Sequence, residues 1–211
     1  MLRIKAQSVL ILLLFGQLSF LNGDVFRNDT GLSKEELSRI GERAVIIREI
    51  EGGERSGVTQ EAIGLIKASP EKVLEIITGF SSYPEFMPNL KRIETLEQTD
   101  TTAVLNYFLE LPMSIEQKYR LKMTWEATDV SDYLVAWQSV DWPGLKPQET
   151  IKATHGFWNI MMRGDDETLV VYHAYVDPGP VPFGFGWVVD FLMKTSFPEV
   201  FTQTRARIES L

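Results

Sequence analysis

His155 and His173 are the two imidazoles of this sequence, and imidazole is the side chain that changes charge near neutral pH. His155 lies in Thr154-His155-Gly156 and His173 in Tyr172-His173-Ala174, each in mid-strand. Strand alternation places His155 with Ile151, Ala153 and Phe157, and His173 with Leu169, Val171 and Tyr175. If both faces turn inward, the imidazoles share a cavity and serve as acid and base, or as hydrogen-bond partners to a ligand. The plainer reading, which the residues alone favour, is a pair of satisfied histidines on a sheet. Asp177 is a conceivable third metal ligand, but its spacing matches no metal signature. The chain has no cysteine, which excludes disulfides, thiolate metal sites and cysteine nucleophiles. It also lacks a G-x-S-x-G element, a P-loop, an H-E-x-x-H motif and a dinucleotide fingerprint. No catalytic residue, metal ligand or cofactor is assigned.

The aromatic and apolar positions make a stronger set. Tyr107, Tyr119, Met123, Trp125, Val135, Trp137, Phe157 and Tyr175 occupy strand positions from which they can line one concave face, and Phe191 can join them from a C-terminal helix. Apolar walls with a few polar handles are the makings of a small-molecule pocket. Taken singly, each residue is better explained as core. Trp142, Pro143, Phe183, Phe185 and Trp187 sit beside glycines in loops, where they either gate a pocket, touch a membrane surface or pack a hinge.

The elements that must position these residues follow from capping, turn and periodicity signals. Ser33 caps a short helix over Lys34–Arg43, with Glu35 and Glu36 in its first turn. Ala44–Glu51 and Val58–Ala68 read as a hairpin joined by the Gly-rich turn 52–57. Ser69-Pro70-Glu71 opens a second helix that Gly79 ends, and Phe80–Pro88 is an aromatic, proline-bounded connection with a short helix of its own. Strands follow at Leu90–Glu97, Thr102–Leu111, Ile115–Trp125, Tyr133–Val140, Glu149–Met162 and Thr168–Val176. In Ile115–Trp125, Tyr119, Leu121, Met123 and Trp125 share a face opposite Lys118, Arg120 and Lys122, the pattern of an antiparallel sheet wet on one side. A long C-terminal helix closes the chain, and Pro198 must kink or divide it. Antiparallel strands with segregated helices make an α+β protein in which a curved sheet grips one long helix and leaves a cleft between them.

Ala68-Ser69-Pro70-Glu71-Lys72-Val73, followed by Phe80 and Tyr83-Pro84-Glu85-Phe86-Met87-Pro88, resembles the START-like (SRPBCC, helix-grip) superfamily, in particular its coenzyme Q-binding and polyketide cyclase/dehydrase branch. The segment Pro178-Gly179-Pro180-Val181-Pro182-Phe183-Gly184 before the last helix is similar as well. The resemblance spans roughly residues 56–211 and implies the helix-grip fold. It implies a protein that holds a hydrophobic small molecule or lipid, with Tyr107, Tyr119, Met123, Trp125, Trp137, His155, Phe157, His173, Tyr175 and Phe191 as ligand-binding residues. The superfamily also hosts enzymes, and fold does not decide function. Two alternatives therefore stand: a cyclase or dehydratase using His155, His173 or Tyr175 as acid and base, and a cell-envelope interaction module with a filled interior.

Charge and leader complete the reading. A net charge of −8 with no basic stripe argues against nucleic acid as a partner, and against adhesion to anionic lipid by charge alone. Transient membrane contact through loop aromatics stays open. Residues 1–23 have the order of a secretory signal: Arg3 and Lys5, the apolar run Val9–Phe15, then small and polar residues. Neither Ser19 nor Gly23 has a good small residue three positions before it, so an uncleaved anchor is the alternative. Export to the periplasm or the exterior is the expectation. Residues 24–55 read as a linker, the short helix and the first strand, and 56–211 as the helix-grip domain.

Overall fold

Eight strands in one antiparallel sheet carry the molecule, in the spatial order β1-β2-β8-β7-β6-β5-β4-β3. The computed structural model describes residues 31–51, 57–164, 166–179, 187 and 191–211. The expected leader at 1–23, most of the 24–32 linker, most of the turn at 52–57, and Phe183 and Phe185 lie outside the described residues. Residues 33–211 form one compact unit, and every element below belongs to it.

The chain enters through α1 (Lys34–Gly41), where Ser33 and Glu36 form a reciprocal capping box. Strands β1 (Ile46–Glu49) and β2 (Val58–Ile66) follow and pair as the expected hairpin. Helix α2 (Pro70–Thr78) starts at the Ser69 cap with proline at its first position, where the missing N–H costs nothing. A six-residue 3-10 helix, Phe80–Glu85, links α2 to the meander. The meander comprises β3 (Leu90–Gln98), β4 (Thr102–Leu111), β5 (Ile115–Asp129), β6 (Asp132–Val140), β7 (Ala153–Gly164) and β8 (Glu167–Asp177). β8 then returns to pair with β2, Ile63 opposite Val171.

Two strand bounds differ from expectation. β5 runs on to Asp129, because Glu126 and Ala127 keep their pairing with Leu134 and Tyr133 after the apolar alternation fades. β7 begins at Ala153, not Glu149, since the preceding residues make single bonds to other strands instead of a ladder with β6: Lys118 of β5 donates from its amide to the Glu149 carbonyl, and Lys152 donates from its amide to the carbonyl of Asp177 on β8. Register shifts in β3, β5 and β7 mark bulges that bend the strands.

Pro198 does not divide the C-terminal helix. A π-helical turn, Leu192–Ser196, runs into α3 (Phe197–Glu209) without a break in helical backbone, the Phe197 amide donating to the Leu192 carbonyl, and Pro198 lies just past that turn. The core lies between one sheet face and the helices. Val73, Ile76 and Ile77 of α2, and Phe197, Phe201 and Ile208 of α3, are buried with Ala62, Leu105, Met123, Val135, Trp158 and Ile160 of the sheet. The Phe201 ring approaches so near to β2 that a methyl group on Gly64 would lie 3.1 Å from it. At its far end α3 is clamped by Glu209, which accepts from Arg43 at 2.6 Å and from the Lys67 amide at 2.9 Å.

Candidate functional site

Packing is incomplete between the sheet and the start of α3, leaving a cavity of about 190 Å³. Each strand from β3 to β8 contributes to it. Leu90 comes from β3, Tyr107 and Leu109 from β4, Tyr119, Leu121 and Met123 from β5, Trp137 from β6, Thr154 and Trp158 from β7, and Tyr172, Ala174 and Val176 from β8. Tyr83, Met87 and Asn89 close it from the α2–β3 connection, and Leu192, Met193, Ser196, Phe197 and Val200 from the helical side. Among the described residues, no Asp, Glu, Lys, Arg or His lines it.

Aromatic rings form two stacked groups in a wall that is otherwise mainly aliphatic. Tyr107 and Tyr119 are cross-strand partners stacked at 5.2 Å with planes 10° apart. Tyr172 is the hub of a second group, stacked on Trp158 at 4.2 Å, on Phe197 at 4.9 Å and on Trp137 at 5.7 Å. The Trp137 ring lies across Gly156, its partner on β7, with no room for a side chain between them.

The polar groups are few and neutral. Asn89, in a left-handed backbone conformation that asparagine tolerates, donates to the Ser196 hydroxyl at 2.8 Å and so fastens the π-helical turn to the head of β3. Thr154 donates to the Tyr175 carbonyl at 2.7 Å. Tyr83 donates to the Ile77 carbonyl. Burial holds the phenols of Tyr83, Tyr107, Tyr119 and Tyr172 well above the ordinary tyrosine pKa, so all four remain protonated.

The structure sorts the residues singled out in the sequence into two groups. Tyr107, Tyr119, Met123 and Trp137 line the cavity. Trp125 shares their face but packs edge-on against Phe80, 5.8 Å away, beyond the cavity. Phe191 is half-buried just ahead of the π-helical turn and does not line the cavity. His155, Phe157, His173 and Tyr175 stand on the opposite face of the sheet, a correction to the inward placement. There His155 stacks on Tyr175 at 4.7 Å and Phe157 on His173 at 4.8 Å, as cross-strand pairs. His173 also lies 2.9 Å from the Glu61 carboxylate, its partner on β2.

The inward positions of β7 and β8 are the even-numbered ones. The sequence could not set that parity, because Gly156–Met161 and Thr168–Val171 are buried on both faces and show no wet side. Tyr83, Asn89, Tyr172 and Ser196 were missed for a related reason: nothing local distinguishes a cavity wall from core. Among the described residues, no group of three His, Asp or Glu side chains is placed to hold a metal ion, and no helix is long and apolar enough to cross a membrane.

The family model described as polyketide cyclase / dehydrase and lipid transport matches residues 66–200. No protein of curated function matches the sequence. Among solved structures, the chain is similar to a STAR-related lipid transfer protein from Xanthomonas axonopodis, with a TM-score of 0.64 and 20% identity, over 78% of this chain and 92% of that one. Human STARD10 gives a TM-score of 0.64 at 14% identity, over 84% and 80%. The Zhui aromatase/cyclase from Streptomyces sp. R1128 gives 0.58 at 10% identity, over 78% and 94%. At these identities the likeness is one of fold.

Proposed function

Because this chain belongs to the polyketide cyclase / dehydrase and lipid transport family, we propose that it binds a hydrophobic small molecule or lipid in the cavity between sheet and α3. The observation that carries this reading is the cavity wall, which is aromatic and aliphatic with a few neutral polar groups and no ionisable acid or base of ordinary pKa. Such a site offers an apolar molecule an apolar surface on which to leave water and offers a reaction little help. The names of the similar structures, lipid transfer on one side and aromatase/cyclase on the other, support the same class of ligand.

The acid–base alternative named His155, His173 and Tyr175, and these face away from the cavity. The interaction-module alternative required a filled interior, and this interior holds a cavity. Export belongs to the proposal too, resting on Arg3, Lys5 and the apolar run Val9–Phe15. Joining residues 1–23 to a reporter enzyme that works only after export tests that part; an inactive reporter removes it.

The test of binding is direct. The full-length protein is purified and its denaturing organic extract analysed by mass spectrometry, alongside titration with apolar fluorophores. A stoichiometric apolar compound, or saturable fluorophore binding that Trp137→Ala weakens, is the expected result. A clean extract with no fluorophore binding overturns the reading.

A further inference from the structure

On the side of β5 away from the cavity, Lys118, Arg120 and Lys122 stand at alternate positions of one strand. Their cross-strand partners are neutral: Phe108, Asn106 and Val104 on β4, with Val140 and Gln138 on β6 opposite Arg120 and Lys122. Alternate residues of a strand lie about 6.8 Å apart, so the row sets three positive charges along about 14 Å. Among the described residues none of the three is neutralised by a carboxylate. Lys118 and Lys122 make no ion pair. Arg120 is held by neutral groups: it donates to the Asn106 side-chain oxygen at 2.8 Å and to the Asp141 carbonyl at 3.4 Å, and its guanidinium lies 5.1 Å from the centre of the Trp142 ring. Trp142 packs edge-on against Phe108 at 5.6 Å, which fixes the arrangement.

The acids around the row are engaged elsewhere: Glu94 with Arg92 and Asn106, and Glu110 and Glu116 with Lys91. They also limit which anion can approach. Glu116 and Glu126 bracket the row on the same face of β5, and Glu94 lies across β4, opposite Asn106. A lipid leaflet or a nucleic-acid backbone spreads its negative charge widely and would meet these carboxylates. An extended peptide chain with acids at alternate residues has the repeat of β5 itself and sets one carboxylate against each cation.

We propose that the outer face of β5, through Lys118, Arg120 and Lys122, docks an extended acidic segment of a partner protein whose carboxylates fall at three alternate residues. The surface lies across the sheet from the cavity, so the inference stands apart from ligand binding. A chain of net charge −8 repels an acidic peptide over most of its surface, which makes such a peptide a selective probe of this row.

Fluorescence anisotropy of a labelled peptide of alternating glutamate and threonine, titrated with the full-length protein at about 20 mM salt, provides the test, since surface charge is little screened there. The comparators are a peptide of the same composition with its glutamates contiguous, phosphatidylglycerol vesicles and oligo(dT). The alternating peptide is expected to bind saturably, about fivefold or more tightly than the contiguous one, and to weaken about tenfold or more by roughly 0.5 M salt. Lys118→Gln/Lys122→Gln is expected to lose about fivefold or more while keeping the wild-type urea midpoint. Lys118→Arg/Lys122→Arg is expected to retain binding, and so is Arg163→Gln, which removes a cation near the far end of β7. No binding of the alternating peptide, equal binding of the contiguous one, or binding that survives Lys118→Gln/Lys122→Gln overturns the inference. So does tighter binding of the vesicles or of oligo(dT), which would assign the row to a lipid or nucleic-acid partner.

Discussion

A methyl group at Gly156 would overlap both the His173 carbonyl oxygen and the Trp137 ring. The ring can turn, but a carbonyl held in a sheet ladder cannot, so the backbone of β7 must yield. Gly156→Ala is expected to cost about 2–3 kcal/mol of stability, read as a lower denaturation midpoint with an unchanged slope, and to push Trp137 into the cavity. Glu36 supports a second expectation. Its carboxylate accepts from the Arg48 side chain at 2.7 Å and from the Ser33 backbone at 2.8 Å, and these bonds lower its pKa from 4.5 to about 2. A depressed carboxyl contributes stability above its unfolded pKa and loses it as pH falls toward the folded one. Thermal stability is therefore expected to decline between about pH 4.5 and 2, and Glu36→Gln to flatten that part of the profile. The same scale shows where the sequence stopped being informative. Tyr119 and Met123 were legible because β5 has one charged face that fixes its parity, and Tyr107 and Trp137 are their cross-strand partners. His155 and His173 were misplaced because β7 and β8 are buried on both sides.

The elements were far more legible than the site. Ser33, Ser69-Pro70 and Gly79 mark helix ends by capping chemistry that acts within a few residues, so the chain alone announces them. The π-helical turn before α3 has no such capping signature; what the structure adds there is a long-range bond, Asn89 to the Ser196 hydroxyl. The helix around Pro198 supports a contrast between neighbours. Pro198→Ala is expected to shift stability by less than about 0.5 kcal/mol, because the helical backbone already runs through this position with proline in place. Phe201→Ala, which removes a fully buried ring from between Gly64 and Trp158, is expected to cost about 3–5 kcal/mol. Urea denaturation of both variants checks the pair; a large loss at Pro198 overturns the first expectation.

At the scale of the whole molecule, charge and ligand site are separated. The chain carries a net charge of −8, and among the described residues no charged side chain lines the cavity. Ligand affinity is therefore expected to vary little between low salt and about 0.5 M salt, where a charged site would weaken markedly. It should also hold from about pH 6 to 9, because burial keeps the cavity phenols protonated beyond the ordinary tyrosine pKa of about 10. Fluorophore titration across both ranges decides the point, and a drop near neutral pH would reveal an ionisable group at the ligand.

The pairing of β2 with β8 joins parts of the chain made at very different times. The Thr168 hydroxyl reaches the Ala68 carbonyl across 100 residues, and Arg43 reaches Glu209 across 166. During synthesis the meander from β3 to β7 can assemble from near neighbours, while β2, paired with β1 on one edge, waits for β8 on the other. The inner wall of the sheet thus stays open to its surroundings until the final helix leaves the ribosome. Non-local closure of this kind is slow, so an apolar molecule that occupies the half-built cleft can be enclosed by folding itself, without ever having to find an entrance.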